Sequence, residues 1–420
     1  MSEHPQAQAN LGWESARRAA YHAGQAKPAQ TVPLADALGQ TLAVTVVALQ
    51  DIPHYTSSAM DGWAVSGAPP WTLVAAVVPE DHGWRRPAPH SDSGSIALEP
   101  GQATSILTGG LVPLNTTGIL RTEHGVVRAE VLERGAAARA DEPRAGEHIR
   151  PAGEEAARGT VAIEAGVRLN PAQIALAAVC GHDTLPVLRA PRVSLLMTGD
   201  EVIEAGLPQA GQVRDTFGPQ LPAFVEMLGG HVDTASRVSD DLDDVVAAIS
   251  AEATDEFSLA RTSGDVLIST GGTGDSSADH IRRAMAVLGA ELIIDGIAMR
   301  PGHPTMLARL ADGRFLVGLP GNPLAAMMAM LTVVGPLLAG LRGAPLPAPA
   351  MVLSGTDFGP LPGRSRLVPY RYESGRAMPA SHQRPGMLRG LASADGVLVI
   401  PAEGCVRDQP VMSLRLPWVG

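Results

Sequence analysis

Three short loops in the second half of the chain carry the residues best suited to hold a phosphate: Thr198-Gly199-Asp200-Glu201, Thr270-Gly271-Gly272-Thr273-Gly274 and Pro320-Gly321-Asn322-Pro323. Each offers backbone N–H groups beside a helix or turn, where an anion is stabilised. The middle loop lacks bulky side chains, so its backbone can approach a ligand closely. Around the loops fall the carboxylates Glu201, Asp240 and Asp279 and the cations Arg300 and His303, which flank Pro301-Gly302. Cations hold phosphates, and carboxylates hold a hard divalent metal that bridges phosphate oxygens. Taken singly, each has a plainer reading. A Gly-rich loop is equally a tight turn, Asp240 and Asp279 lie where helices begin and read as caps, and Arg300 and His303 read as surface residues. Convergence is what turns them into a site.

The elements that would bring them together are legible as periodicity. Residues 265–270 form an apolar run suited to a buried strand. After the glycines, Ile281, Ala284, Met285 and Leu288 recur at helical spacing, predicting a helix from about Ala278 or Asp279. Residues 192–197, 232–238 and 292–299 read as strands. Residues 220–228 read as a helix, and Ser239 as the cap of another that carries Leu242, Val245, Val246 and Ile249. Residues 305–310 and 314–319 read as a hairpin across Ala311-Asp312-Gly313. Asn322 and Pro323 then open a long helix as N-cap and first-turn residue. Alternating strands and helices imply a doubly wound, mostly parallel sheet, whose ligands bind outside the carboxyl ends of the strands. By that rule all three loops share one edge.

The flanking segments read differently. Residues 10–50 begin with a helix from Trp13 to Ala23, and 32–49 read as a short helix followed by a strand. Within Ser58-Ala59-Met60-Asp61-Gly62, the Asp-Gly pair is turn chemistry ahead of a strand at Trp63. Short apolar runs broken by Pro, Gly and charge indicate a small all-β module over 51–146. Asn170-Pro171 caps a helix within 147–190. The chain thus divides into 10–50 with 147–190 as a discontinuous N-terminal domain, 51–146 inserted in it, 191–343 as the α/β domain, and a β-barrel-like domain over 344–420.

Bulk properties exclude several function classes. The net charge of −11 and an aromatic content of 3% argue against nucleic-acid or anionic-membrane binding. Cys180 and Cys405 form neither a disulfide framework nor a metal motif. The first residues lack a signal pattern, and the apolar run from Leu324 to Leu341 follows a helix cap, so it reads as a core helix. The expected address is cytoplasmic.

Six motifs in order carry a resemblance: Ser58-Ala59-Met60-Asp61-Gly62-Trp63-Ala64, Leu107-Thr108-Gly109, Thr198-Gly199-Asp200-Glu201, Gly271-Gly272 with Asp279, Arg300-Pro301-Gly302-His303-Pro304, and Leu319-Pro320-Gly321-Asn322-Pro323. The chain resembles the MoeA family of molybdopterin molybdenumtransferases, similar to the E domain of gephyrin, over about residues 10–416. The resemblance implies four parts, including an elongated N-terminal domain, and a homodimer whose site lies between one subunit's α/β domain and its partner's N-terminal region. It implies insertion of molybdate into adenylylated molybdopterin with a divalent metal, expected to be Mg2+, and release of AMP. Other cofactor-biosynthesis proteins are its implied partners. Asp61, Thr108, Glu201, Asp240 and Asp279 fall on the family's functional positions, with Asp240 and Asp279 as metal ligands. Gly271, Gly272, Thr273, Arg300, His303 and the residues from Pro320 to Pro323 fall on its substrate-holding loops.

The departures are also specific. The middle loop continues Thr273-Gly274-Asp275-Ser276, adding a carboxylate beside the cradle. Arg300 and His303 stand where lysines are usual, Phe217 where an Asn is usual, and Thr117 where an Asp is usual. Two other readings of the same chain are a molybdopterin adenylyltransferase, which would share only the α/β domain, and a diverged binding or scaffold protein.

Overall fold

A computed structural model describes residues 8–26, 28–74, 97–250, 264–271 and 280–419. Six strands form the α/β layer: β1 (Arg192–Met197), β2 (His231–Arg237), β3 (Val266–Thr270), β4 (Glu291–Arg300), β5 (Met306–Arg309) and β6 (Phe315–Leu319). Their spatial order is β2-β1-β3-β6-β5-β4. The first four are mutually parallel, and β5 runs antiparallel between β6 and β4. Side chains alternate between two cores, as period-two strands require. Leu195, Ile268 and Val317 face one cluster, with Phe224 and Leu324. Leu196, Leu267 and Leu316 face the other, with Val245, Ile249, Ile281 and Met285. Helices thus cover both faces, and β1, β3 and β6 all end at the same edge.

The helix after β6 is continuous from Pro323 to Leu341, with a π turn over Met330–Val334. It is long and apolar enough to cross a membrane, yet it is wholly buried inside the molecule. The π turn frees polar groups, and the N-terminal helix Trp13–Ala23 takes them up. Trp13 Nε1 donates to Thr332 Oγ1 at 3.2 Å, and Arg17 Nη1 donates to the Leu331 carbonyl at 3.2 Å. Burial lowers the Arg17 guanidinium pKa to about 10.

The opening segment packs on the α/β layer. The strand Gln8–Gly12 pairs in parallel with β4, and Trp13, Ala16 and Ala20 belong to the α/β core. Residues 8–23 therefore pack apart from the N-terminal domain, because their apolar face is shaped to the long helix. The small Gly340 permits this approach: a Cβ there would lie 2.2 Å from the Tyr21 carbonyl.

The rest of the N-terminal domain is built from short pieces. Thr184–Leu188 pairs with Gln30–Pro33 and with Thr41–Leu42, and two-residue ladders continue at Val46–Val47 and Ser57–Ser58. Over 32–49 a single 3-10 turn, Leu34–Asp36, stands where a short helix is expected, in the short connection between the paired segments Gln30–Pro33 and Thr41–Leu42. The helix Pro171–Val179 has the expected cap, and Asn170 and Gln173 exchange side-chain-to-backbone hydrogen bonds at 2.9 Å. The inserted module is a six-stranded sheet containing Gly62–Val65 and Gln102–Ile106.

Of the C-terminal strands, Ser365–Glu373 pairs with both Arg376–Pro379 and Gly396–Ile400, and Pro410–Arg415 pairs with both Gly396–Ile400 and Ala350–Leu353, around a small core of Val368, Tyr370, Leu398 and Val411. A Ser354–Ala377 bridge brings the ends of this sheet together, giving the barrel-like form. Met299 and Arg300 of β4 pair with Ser365 and Arg366, which fixes the barrel against the end of β4.

Candidate active site

Each loop begins where an apolar strand runs out. Thr198 Oγ1 donates to the Thr270 carbonyl at 2.6 Å, tying the loop after β1 to the loop after β3. Gly271 N–H donates to the Leu319 carbonyl at 3.0 Å, tying β3 to β6. A Cβ on Gly321 would lie 3.7 Å from Gly271 Cα, so the second and third loops are in contact. Gly271 has φ +79°, a backbone conformation suited to glycine. The three loops thus form one continuous edge. Gly272, Thr273 and Asp279, with Asp275, lie outside the described residues.

Asp240 joins this edge from the end of β2. Asp200 N–H donates to Asp240 Oδ2 at 3.2 Å, and Asp240 N–H donates to Asp200 Oδ1 at 3.3 Å. The helix cap that Asp240 might have supplied, and that Ser239 is expected to supply, comes instead from Asp241. Its Oδ1 accepts from Asp243 N–H at 2.8 Å and Asp244 N–H at 3.2 Å, because the helix Leu242–Ser250 starts later than the pattern suggests. Glu201 is exposed and bends back toward Gly199, where a Cβ would lie 3.1 Å from its Oε2. Asp215 closes the loop from below: it accepts from Phe217 N–H at 2.8 Å and from Arg237 at 2.7 Å. The Phe217 side chain packs against the main core.

The third loop differs from expectation in its free donors. Leu324 and Ala325 N–H, at the helix start, donate to the Pro385 carbonyl at 2.9 and 3.4 Å, and Asn322 makes no side-chain cap. The C-terminal domain therefore occupies the helix N-terminus between Pro320 and Pro323 and the helix body. Pro385 also lines a cavity of 350 Å³ together with Arg300, Arg366, Gln383 and Arg384. Three arginines thus line one small cavity, and guanidinium is the side chain best matched to an oxyanion. Arg300 was legible from its motif. Arg366 and Arg384 were not, because no local pattern ties them to Arg300: the β4 pairing brings Arg366 there, and the Pro385 contact with the long helix brings Arg384. His303 does not line this cavity. Its Nδ1 lies 2.9 Å from the Ile297 carbonyl, which only accepts, so Nδ1 carries the proton.

Asp61 and Thr108 form a second group. Asp61 Oδ1 accepts from Thr108 N–H at 2.6 Å and Thr108 Oγ1 at 2.8 Å. The Thr108 backbone N–H, then its hydroxyl, hold the Asp61 carboxyl below the usual range. The neighbouring Gly109 carbonyl accepts from Tyr55 at 2.9 Å. Tyr55 lines a cavity of 540 Å³ with His54, Ser57, Arg150, Glu154 and Glu155. Sequence reasoning missed Arg150 and Glu155, although Arg150 pairs directly with Ser57 beside the Asp61 turn. Among the described residues, no hydrogen bond or ion pair joins this group to the sheet edge.

The described residues contain no cluster of three or more metal-binding side chains. A hard octahedral cation commonly takes one or two carboxylates, with water and substrate phosphates completing its shell. Exposed Asp200 and half-buried Asp240, joined by hydrogen bonds, fit that donor set.

Residues 11–181 match a family model for the MoeA N-terminal region, domains I and II. Residues 194–340 match a probable molybdopterin binding domain, and 352–406 the MoeA C-terminal region, domain IV. Molybdopterin molybdenumtransferase 2 of Mycobacterium tuberculosis is 33% identical over 397 residues, covering 89% of this chain and 91% of that one. A molybdopterin molybdenumtransferase of Staphylococcus aureus is 29% identical over 326 residues, covering 76% and 72%. The solved molybdopterin biosynthesis MoeA protein of Pyrococcus horikoshii superposes with TM-score 0.74 at 24% identity, covering 96% of this chain and 99% of that one.

Proposed function

The chain belongs to the MoeA family of molybdopterin molybdenumtransferases, and we propose that it carries out its transfer at a site divided between two copies of itself. It is a transferase of molybdenum cofactor biosynthesis. The observation that carries the reading of the site is the unbroken edge from Asp240 through Thr198 and Gly271 to Gly321, with a three-arginine cavity beside it.

In this reading the edge receives adenylylated molybdopterin. Backbone groups around Gly271 and Gly321 face its phosphates, and Glu201, Asp240 and Asp279 face the cation that accompanies them. Asp240, with Asp200 beside it and Asp279, would hold Mg2+, which supplies charge neutralisation between phosphate oxygens. Arg300, Arg366 and Arg384 hold the molybdate dianion in the adjoining cavity, where guanidinium forks match its oxygens. Molybdate is thus presented beside the phosphates, and its entry is coupled to loss of AMP.

Asp61 and Thr108 belong to the same site through a homodimer. Among the described residues they have no partner on the sheet edge of their own chain, and Leu107, Leu111 and Leu114, near Thr108 in the sequence, are exposed. A second copy would cover that apolar segment and deliver Asp61 to the edge.

The test is incubation with adenylylated molybdopterin, molybdate and magnesium, following AMP. The expected result is molybdate-dependent AMP release. Release that ignores molybdate defeats the reading. For the division between copies, Asp61→Asn and Asp240→Asn chains are mixed: activity restored in the hybrid is expected, and none would place both residues in one chain's site.

A further inference from the structure

We propose that a second cleft, between the N-terminal domain and the amino edge of the main sheet, binds a phosphate-type dianion apart from the reaction loops. The cleft has a volume of 760 Å³ and is lined by Arg168 from the N-terminal domain and by Arg189, Arg192 and His231 where β1 and β2 begin. The reaction loops lie at the other end of those strands. Six residues at about 3.3 Å each put roughly 20 Å between the two sites.

Most charges in the cleft already have partners. Arg189 pairs with Asp265 at 3.2 Å, and Arg192 pairs with Asp233, which also lies 3.8 Å from His231. One guanidinium lining the cleft remains, and a second lies just behind the lining. Arg168 donates through Nε to the Gly39 carbonyl at 3.0 Å and has no ion pair among the described residues. Arg342, just past the long core helix, reaches across Gly229, where a Cβ would lie 1.7 Å from its Nη1. The next residue, Gly230, lines the cleft. Arg342 Nε is buried with no hydrogen-bond partner. Burial first, and then the charge of Arg168, hold the Arg342 guanidinium below its ordinary value. The exposed Glu226 at the rim is the remaining carboxylate.

Arg168 thus enters the cleft without an ion pair among the described residues, with Arg342 behind Gly230, against a chain charge of −11. A dianion there gains a charge-assisted contact with Arg168 and the attraction of Arg342 behind it. The volume is within the range of small-molecule sites, roughly 300–1,000 Å³. Gln30, Gln40 and the exposed Leu38 offer amide and apolar surface for an organic group attached to the phosphate.

The buried Arg342 Nε–H resonance, assigned by its loss in Arg342→Lys, gives a local readout in the full chain. Inorganic phosphate and AMP are titrated separately, with sodium chloride at equal ionic strength as the control. A saturable shift with phosphate but not chloride is expected, weakened about tenfold or more in Arg168→Gln. AMP binding more tightly than phosphate means that the cleft also holds the nucleoside; equal affinities mean that phosphate alone is read. Should Arg168→Gln lose its fold, Leu38→Asp places a carboxylate at the exposed mouth and must weaken the shift likewise. No shift at tens of millimolar phosphate, or a shift that both variants leave unchanged, overturns the proposal.

Discussion

Asp200 and Asp240 hold each other's main-chain N–H groups, at 3.2 and 3.3 Å, so two loops from neighbouring strands are locked with their carboxylates side by side. Two carboxylates brought onto facing loops in this way favour a bound cation. The lock also separates two adjacent aspartates by task, since Asp241 spends its side chain on the helix start.

Asp240→Asn keeps an oxygen acceptor for Asp200 and removes the charge. AMP release should fall at least about tenfold and demand more magnesium, while the melting temperature stays put. Asp241→Ala should do the reverse, costing about 1 kcal/mol of stability with turnover kept. Equal turnover losses in the two variants would end the distinction.

Asp61 titrates below the usual range because Thr108 donates to its charged form. That advantage is present above the unfolded-state pKa and is lost as pH falls through the lowered folded value. Thr108→Val deletes the hydroxyl donor and leaves the N–H. The acid limb of the pH–rate profile should therefore move to higher pH. An unmoved limb would show that the hydroxyl does not tune Asp61.

Glu142 is buried in the inserted module beside His124, at 2.5 Å, with Arg121 at 3.7 Å. Burial would raise its pKa, but hydrogen bonds from His124 and the Arg139 N–H, with the charges of His124 and Arg121, outweigh it and hold the carboxyl low. Its stabilisation is thus complete above the ordinary carboxylate range and fades as pH falls through the lowered value. Glu142→Leu should cost about 1–3 kcal/mol in urea unfolding at neutral pH, by leaving the His124 ring N–H and the Arg139 N–H without their buried acceptor. A loss under 1 kcal/mol would mean that solvent replaces the carboxylate.

Arg384→Gln should raise the KM for molybdate about tenfold with kcat little changed, since one charge-assisted contact is lost. His303→Lys should leave that KM and its pH dependence nearly unaltered, because the imidazole is turned to the Ile297 carbonyl and lies outside the cavity. A steep change in molybdate affinity between pH 6 and pH 8 that His303→Lys abolishes would return His303 to the site.

The α/β sheet was legible because its strands are continuous apolar runs with glycine at their ends, and β1 spans the expected 192–197. The shared edge followed from strand direction alone. The N-terminal domain was harder to read: pairings as short as Val46–Val47 have no periodicity, and only their partners define them. Arg366 and Arg384 carried no signal, because their meaning comes from long-range contacts: a two-residue pairing with β4 for Arg366 and the docking of Pro385 on the long helix for Arg384. Asp241 displaced Ser239 as cap through a shift of helix start that propensity does not resolve.

The π turn at Met330–Val334 bears on how this architecture can be inherited. Its open carbonyl and hydroxyl are closed by Arg17 and Trp13, more than 300 residues away in sequence. A gene fission that kept only residues 191–343 would carry off a sheet with a gash along its longest helix, its wound lined by Leu331 and Thr332. The unit is portable only if the first two dozen residues travel with it, or if a new segment grows to dress the same surface. The opening stretch of the chain is in that sense the last piece of the α/β domain, and evolution is free to edit the two apart only in step.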